Sequence, residues 1–163
     1  MTISETLLPE FDHEMTNTRK ILDRVPEEKF TWKPHEKSMT MGRLASHIAE
    51  MAYWATVTIK EDKLELTPEM KPFRAATKAE LMSQFDSNIA TAREAIAGAT
   101  DEHLGKVWSL IYNGHPVLSM PRAAVLRNMV MSHVIHHRGQ LSVYLRLNDI
   151  AIPGMYGPSA DES

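Results

Sequence analysis

Apolar residues recur at helical spacing in four long segments, and Pro- and Gly-marked breaks separate them. In the first, residues 3–24, Phe11, Met15, Thr18 and Leu22 trace one stripe at i, i+4, i+7 and i+11, and the segment stops before Pro26. Residues 26–39 carry Pro34 and too many polar side chains for a core element. A second helix is expected from about Thr40 to Lys60, capped by Ser38 or Thr40, with Leu44, His47, Ile48, Met51 and Ala55 on one face. Residues 61–76 read as a charged, Pro-containing connection. Thr77-Lys78-Ala79-Glu80 then matches a capping box, in which hydroxyl and carboxylate satisfy exposed backbone donors. The third helix follows, with Leu81, Phe85, Ala92 and Ile96 inward and Gly98 near its end.

Residues 106–120 break the helical period. Val107 to Tyr112, the pair Asn113-Gly114, and His115 to Leu118 predict a short hairpin or extended arm about an Asn-Gly turn. Pro121 suits the first turn of a fourth helix that runs to about Leu147. The Pro- and Gly-containing tail, residues 148–163, is expected on the surface. The pattern therefore predicts one all-α domain over residues 1–163: a four-helix bundle with an extended or hairpin arm between helices 3 and 4.

Composition narrows the chemistry. At 163 residues, 43% hydrophobic and 24% charged, the chain can build a core without staples. A formal net charge of −3 gives no general footprint for nucleic acid. The absence of cysteine excludes disulfides, a cysteine nucleophile and thiolate metal ligands, so any metal must be held by histidine, carboxylate or water. Residues 1–8 include Glu5 and lack a basic region followed by an apolar core, so no signal peptide is expected. No stretch has the apolar length of a membrane span. A cytoplasmic location is the default expectation.

Helical phase selects among the eight histidines. His133 and His137 lie one turn apart on a face continued by Leu141 and Tyr144, so their rings can converge. His47 lies on the apolar stripe of the second helix. Three nitrogens from two facing helices leave coordination positions for water or substrate, the pattern of an open catalytic site. The alternative is that each is a hydrogen-bonded core histidine. His136 points about 100° from His137 and cannot share the same ion without distortion. Glu50, one turn beyond His47, could orient a ligand or accept a proton, or could simply be a solvated or ion-paired side chain. His13, His35, His103 and His115 have no phase argument and are expected to be exposed. Trp54 and Trp108 could line a pocket or belong to the core. Arg138 and Arg146 could pair with an anionic substrate or complement a helix dipole.

Three blocks together resemble the DinB/YfiT-like superfamily of metal-dependent four-helix proteins: Leu44-Ala45-Ser46-His47-Ile48-Ala49-Glu50, the run His133 to Leu141 followed by Tyr144-Leu145-Arg146, and the tail Ile152 to Ser159. The resemblance spans nearly the whole chain. It implies that His47, His133 and His137 are the metal ligands, that the ion is zinc, nickel or a related divalent metal, and that the protein is a homodimer. Some members of that superfamily are isomerases or S-transferases that use a low-molecular-weight thiol, in which the metal lowers the thiol's pKa. A chain without cysteine could do the same, because the sulfur comes from the cosubstrate. The expected function is a metal-dependent enzyme, a thiol-dependent S-transferase or a hydrolase with Glu50 as base. The alternative is a non-catalytic metal- or ligand-binding stress-response protein. The expected partner is a small molecule, with neither nucleic acid nor membrane.

Overall fold

The computed structural model describes residues 1–162, and four long helical stretches dominate it. Helix α1 spans Ile3–Leu22 and α2 spans Met41–Lys60. Strand β1 is Lys63–Leu66, α3 is Lys78–Gly98, and a short α4 is Asp101–Gly105. Strands β2 (Val107–Tyr112) and β3 (His115–Pro121) lead into α5 (Arg122–Val125), a π turn (Leu126–Met131) and α6 (Ser132–Arg146).

Local chemistry explains where the helices begin. Thr2 caps α1, and Glu5 returns its carboxylate to the Thr2 amide, a reciprocal pair at residues 2 and 5 that helical phase alone passes over. Thr40, of the two proposed caps, accepts from the Arg43 amide at the start of α2. Thr77 caps α3 through the Glu80 amide, but the Glu80 carboxylate reaches the amide of Ala76 rather than that of Thr77.

The predicted stripes meet in one core. Phe11, Met15, Leu22, Leu44, Ile48, Met51, Leu81, Phe85, Ile96 and Leu141 are all buried within it. Burying a side chain of this size contributes roughly 1.5–3 kcal/mol, and the helix faces are held together chiefly by this term. Arg122 is buried and ties the C-terminal end of α2 to the start of α5: its Nε donates to the Thr58 carbonyl at 2.9 Å and its Nη2 to the Glu61 carbonyl at 3.1 Å. Such carbonyls have no partner within their own helix.

The structure departs from the sequence reading in several places. The fold is not purely helical: the arm is part of a three-stranded sheet in the order β1-β2-β3. β2 and β3 pair antiparallel about Asn113-Gly114, with φ of 49° and 75°, as an Asn-Gly hairpin turn requires. β1 pairs parallel with β2, Lys63 opposite Ser109, and it falls inside the stretch read as a charged connection. Its Lys-Leu-Glu-Leu alternation is only four residues long, and its partner lies 46 positions away, so no local signal marks it. Trp108, Leu110, Val57 and Val125 form a second small cluster that seats this sheet on the helices.

The fourth helix is interrupted. Pro121 ends β3 and precedes the helical turn rather than sitting within it, and the π turn inserts one extra residue before α6. The first helix ends at Leu22, two residues early. The tail is not simply superficial: Pro153 is buried, and Ile150, Ile152 and Met155 pack on the core. Among the described residues, no helix is long and apolar enough to cross a membrane.

Candidate metal centre

α2 packs against α6, and the three histidines selected by phase meet between them. His47 projects from the second turn of α2, and His133 and His137 occupy the first two turns of α6. One nitrogen from each ring lies within 4.8 Å of the others. The His47 ring centroid is 5.3 Å from that of His133 and 4.7 Å from that of His137, near perpendicular to both. The Nε2 atoms of His133 and His137 are 2.8 Å apart.

The neighbours of these rings fix their protons. His47 Nδ1 lies 3.0 Å from Glu50 Oε1, and a carboxylate only accepts, so Nδ1–H is the donor. His137 Nδ1 lies 2.7 Å from Gln140 Oε1 and donates in the same way. Both rings therefore turn an Nε2 lone pair toward the shared gap. At 2.8 Å two bare Nε2 lone pairs repel; His137 carries its proton on Nδ1, so in the neutral, metal-free pair His133 holds its one ring proton on Nε2 and donates it to His137, and a bound cation would take that proton's place.

The donor set could hold a metal ion. Two nitrogens bound at about 2.0–2.1 Å stand about 2.9 Å apart at a right angle and about 3.3 Å apart at a tetrahedral one, so this pair needs to open by at most about half an ångström. Neutral imidazole is the ligating form, and the site favours it. Burial, assisted by the neighbouring histidines, pushes the His137 imidazole down to about 4 despite Gln140. Burial and His47 also lower His133, against a hydrogen bond to the Met129 backbone in the π turn.

Glu50 is fully engaged. Its Oε1 accepts from His47 and, at 3.4 Å, from both terminal nitrogens of Arg43, while Oε2 accepts from the Phe73 amide at 2.9 Å. Burial raises the Glu50 carboxyl, but the bonds from His47 and Phe73 and the charge of Arg43 outweigh it and hold it below the ordinary value. The carboxylate is built to hold an imidazole and to anchor the segment before α3.

The other histidines stay out of the cluster. His136 is exposed on α6, and His13, His35 and His115 are exposed as expected. His103 is not: it is half-buried, its Nε2 2.7 Å from the Ile59 carbonyl. Trp108 is core, 1% exposed. Neither arginine singled out in the sequence is free for a ligand. Arg138 is buried against Glu14 and Tyr156, and Arg146 pairs with Asp161. Phase reasoning missed Gln140 and Arg43. Both carry a signal: Gln140 is three residues after His137, and Arg43 is one turn before His47.

Comparison with known proteins places the chain in a family. The DinB family model matches residues 1–163. The uncharacterized protein YrdA of Bacillus subtilis is 26% identical over 157 residues, covering 95% of this chain and 89% of that protein. The crystal structure of a DinB-like protein from Bacillus cereus superposes with a TM-score of 0.72 at 25% identity, over 93% of this chain and 97% of the other. That of the DinB-like protein YjoA from Bacillus subtilis has a TM-score of 0.67 at 20% identity, over 96% and 98%, a likeness of fold.

Proposed function

The chain belongs to the DinB family, and from that premise we propose that His47, His133 and His137 hold a divalent ion, zinc or nickel, at which the protein transforms a small molecule. The observation that carries this is the set of three ring nitrogens within 4.8 Å, two of them on rings whose Nδ1 is occupied by Glu50 and Gln140. Convergent lone pairs so arranged are costly without a cation or proton to receive them. Bound by three neutral imidazoles, such an ion supplies Lewis acidity at an open position and lowers the pKa of a thiol or water there.

The chain's own residues do the rest. Glu50 and Gln140 lock the tautomers of His47 and His137, and that second layer of contacts governs how firmly the ligands are aimed. Glu50 acts as a positioning residue. Both of its oxygens are already engaged, Oε1 by His47 and Arg43 and Oε2 by the Phe73 amide, contacts that suit it to holding His47 in place. That arrangement favours transfer of a thiol-derived group, where the nucleophile arrives with the cosubstrate, over hydrolysis with Glu50 as base.

The experiment is elemental analysis of untagged protein, wild type beside a His47→Ala/His137→Ala double variant. About one divalent ion per chain, lost in the double variant, is the expected result. Wild type that stays metal-free after reconstitution with zinc and nickel overturns the reading and makes the histidines core residues of a binding protein.

A further inference from the structure

One turn N-terminal to His47 along α2, a cleft of about 320 Å³ opens between α2, the segment preceding it and the segment preceding α3. Arg43 and Arg74 line it, with the hydroxyl-bearing Thr31 and Thr40 and the Phe30 ring. Its two arginines have one paired carboxylate between them, that of Glu50 on Arg43, so part of the positive charge stays unpaired. Arg74 forms no salt bridge among the described residues. Arg43 meets a single carboxylate oxygen through two long 3.4 Å contacts, which leaves its remaining N–H donors free.

The helix N-terminus contributes nothing here. The amides of Met41, Gly42 and Arg43 are spent on the Trp32 carbonyl, the Phe30 carbonyl and the Thr40 hydroxyl. Ser46 Oγ accepts from the Ala75 amide and is fully buried. What remains is a pair of guanidiniums beside an apolar ring. Planar guanidiniums match carboxylate and phosphate oxygens in a way a lysine does not.

We propose that this cleft is an anion subsite: it holds the acidic group of a small substrate whose reacting end lies at the histidine cluster. Arg43, His47 and Glu50 lie along one side of α2, at i, i+4 and i+7, so the backbone positions of Arg43 and His47 are about 6 Å apart along the helix axis, a separation a short molecule can span. The substrate is then a short molecule with a carboxylate or phosphate at one end, and an apolar portion against Phe30. The placement of the reacting end rests on the metal-centre reading; the cleft's affinity for anions does not.

The test measures anion binding directly. Benzoate and inorganic phosphate are titrated separately into the full-length protein at low ionic strength, and amide shifts at Thr31, Arg43 and Ala75 are followed by NMR. Wild type, Arg74→Gln and His133→Ala are compared, with Arg19→Gln, whose side chain pairs with Asp86, as the control. Saturable shifts with at least one probe, weakened at least about tenfold by Arg74→Gln and kept in His133→Ala and Arg19→Gln, are expected. Benzoate bound more tightly than phosphate identifies a carboxylate substrate, and the reverse order a phosphate one. Absence of saturation with both probes, or an affinity indifferent to Arg74→Gln, overturns the subsite. Binding lost in His133→Ala also overturns it, because the anion then sits at the histidines. Failure of the metal reading instead shows as wild type without an ion while the cleft still binds.

Discussion

His133 Nε2 lies 2.8 Å from His137 Nε2, and the far nitrogen of His137 is already committed to Gln140. The pair can share a proton or a cation but cannot stand as two bare acceptors. Replacing either residue by Ala is therefore expected to remove the bound ion altogether, read as metal per chain after gel filtration. His13→Ala and His35→Ala, both at exposed positions, are expected to keep the wild-type content. Retention of a stoichiometric ion by His137→Ala would assign the ligands elsewhere.

The metal-free protein should lose stability in mild acid. His137 is held down to about 4 by burial, whereas an unfolded histidine titrates near 6.5. Between those values the unfolded chain binds the proton that the folded chain refuses, so the stabilising contribution is complete above about 6.5 and fades as pH falls through about 4. His133 is lowered in the same direction. Urea midpoints of chelator-treated protein from pH 7 to pH 4 are the measurement, with His137→Leu as reference. A reference variant with an equally steep decline would place the linkage in other groups.

Glu50→Gln keeps the shape of the side chain and removes its charge. If Glu50 aims His47, metal affinity falls about 10–100-fold while the fold persists. Competition against a calibrated chelator reads this directly. An unchanged affinity would leave Glu50 as an anchor for the Phe73 backbone and nothing more.

Arg138 and Glu14 form a buried ion pair at 2.6 Å, 3% and 6% exposed, with the Tyr156 hydroxyl bonded to both. Arg138→Leu leaves Glu14 as a buried carboxylate without its cation and is expected to cost about 3–5 kcal/mol. Thermal or urea unfolding gives the number. Adding Glu14→Leu should recover much of the loss, since removing both charges ends the desolvation penalty.

Three convergent histidines on two helices were legible because a helix repeats its face every three to four residues. A period is visible in a single sequence, and His133, His137 and His47 declared their faces through Leu141, Leu44 and Met51. What stayed hidden depended on partners far along the chain. β1 becomes a strand only beside β2, Arg138 becomes internal only beside Glu14, and Pro153 is covered only once the tail folds back. The π turn was invisible for another reason: residues 126–131 have an ordinary helical composition, and the extra residue shows only in the backbone.

The parallel pairing of Lys63 with Ser109 has a consequence for the order of assembly. β1 and β2 cannot meet until the intervening chain, α3 and α4 included, has been drawn into place, and closing so long a loop carries an entropic cost before any ladder bond repays it. Helices α2 and α6 bring the histidines together through the main core, while the sheet rests on its own small cluster. The sheet is thus a part of the molecule whose pairing closes a long stretch of chain, and its apolar contacts are gathered in a cluster apart from the main core between the histidine-bearing helices.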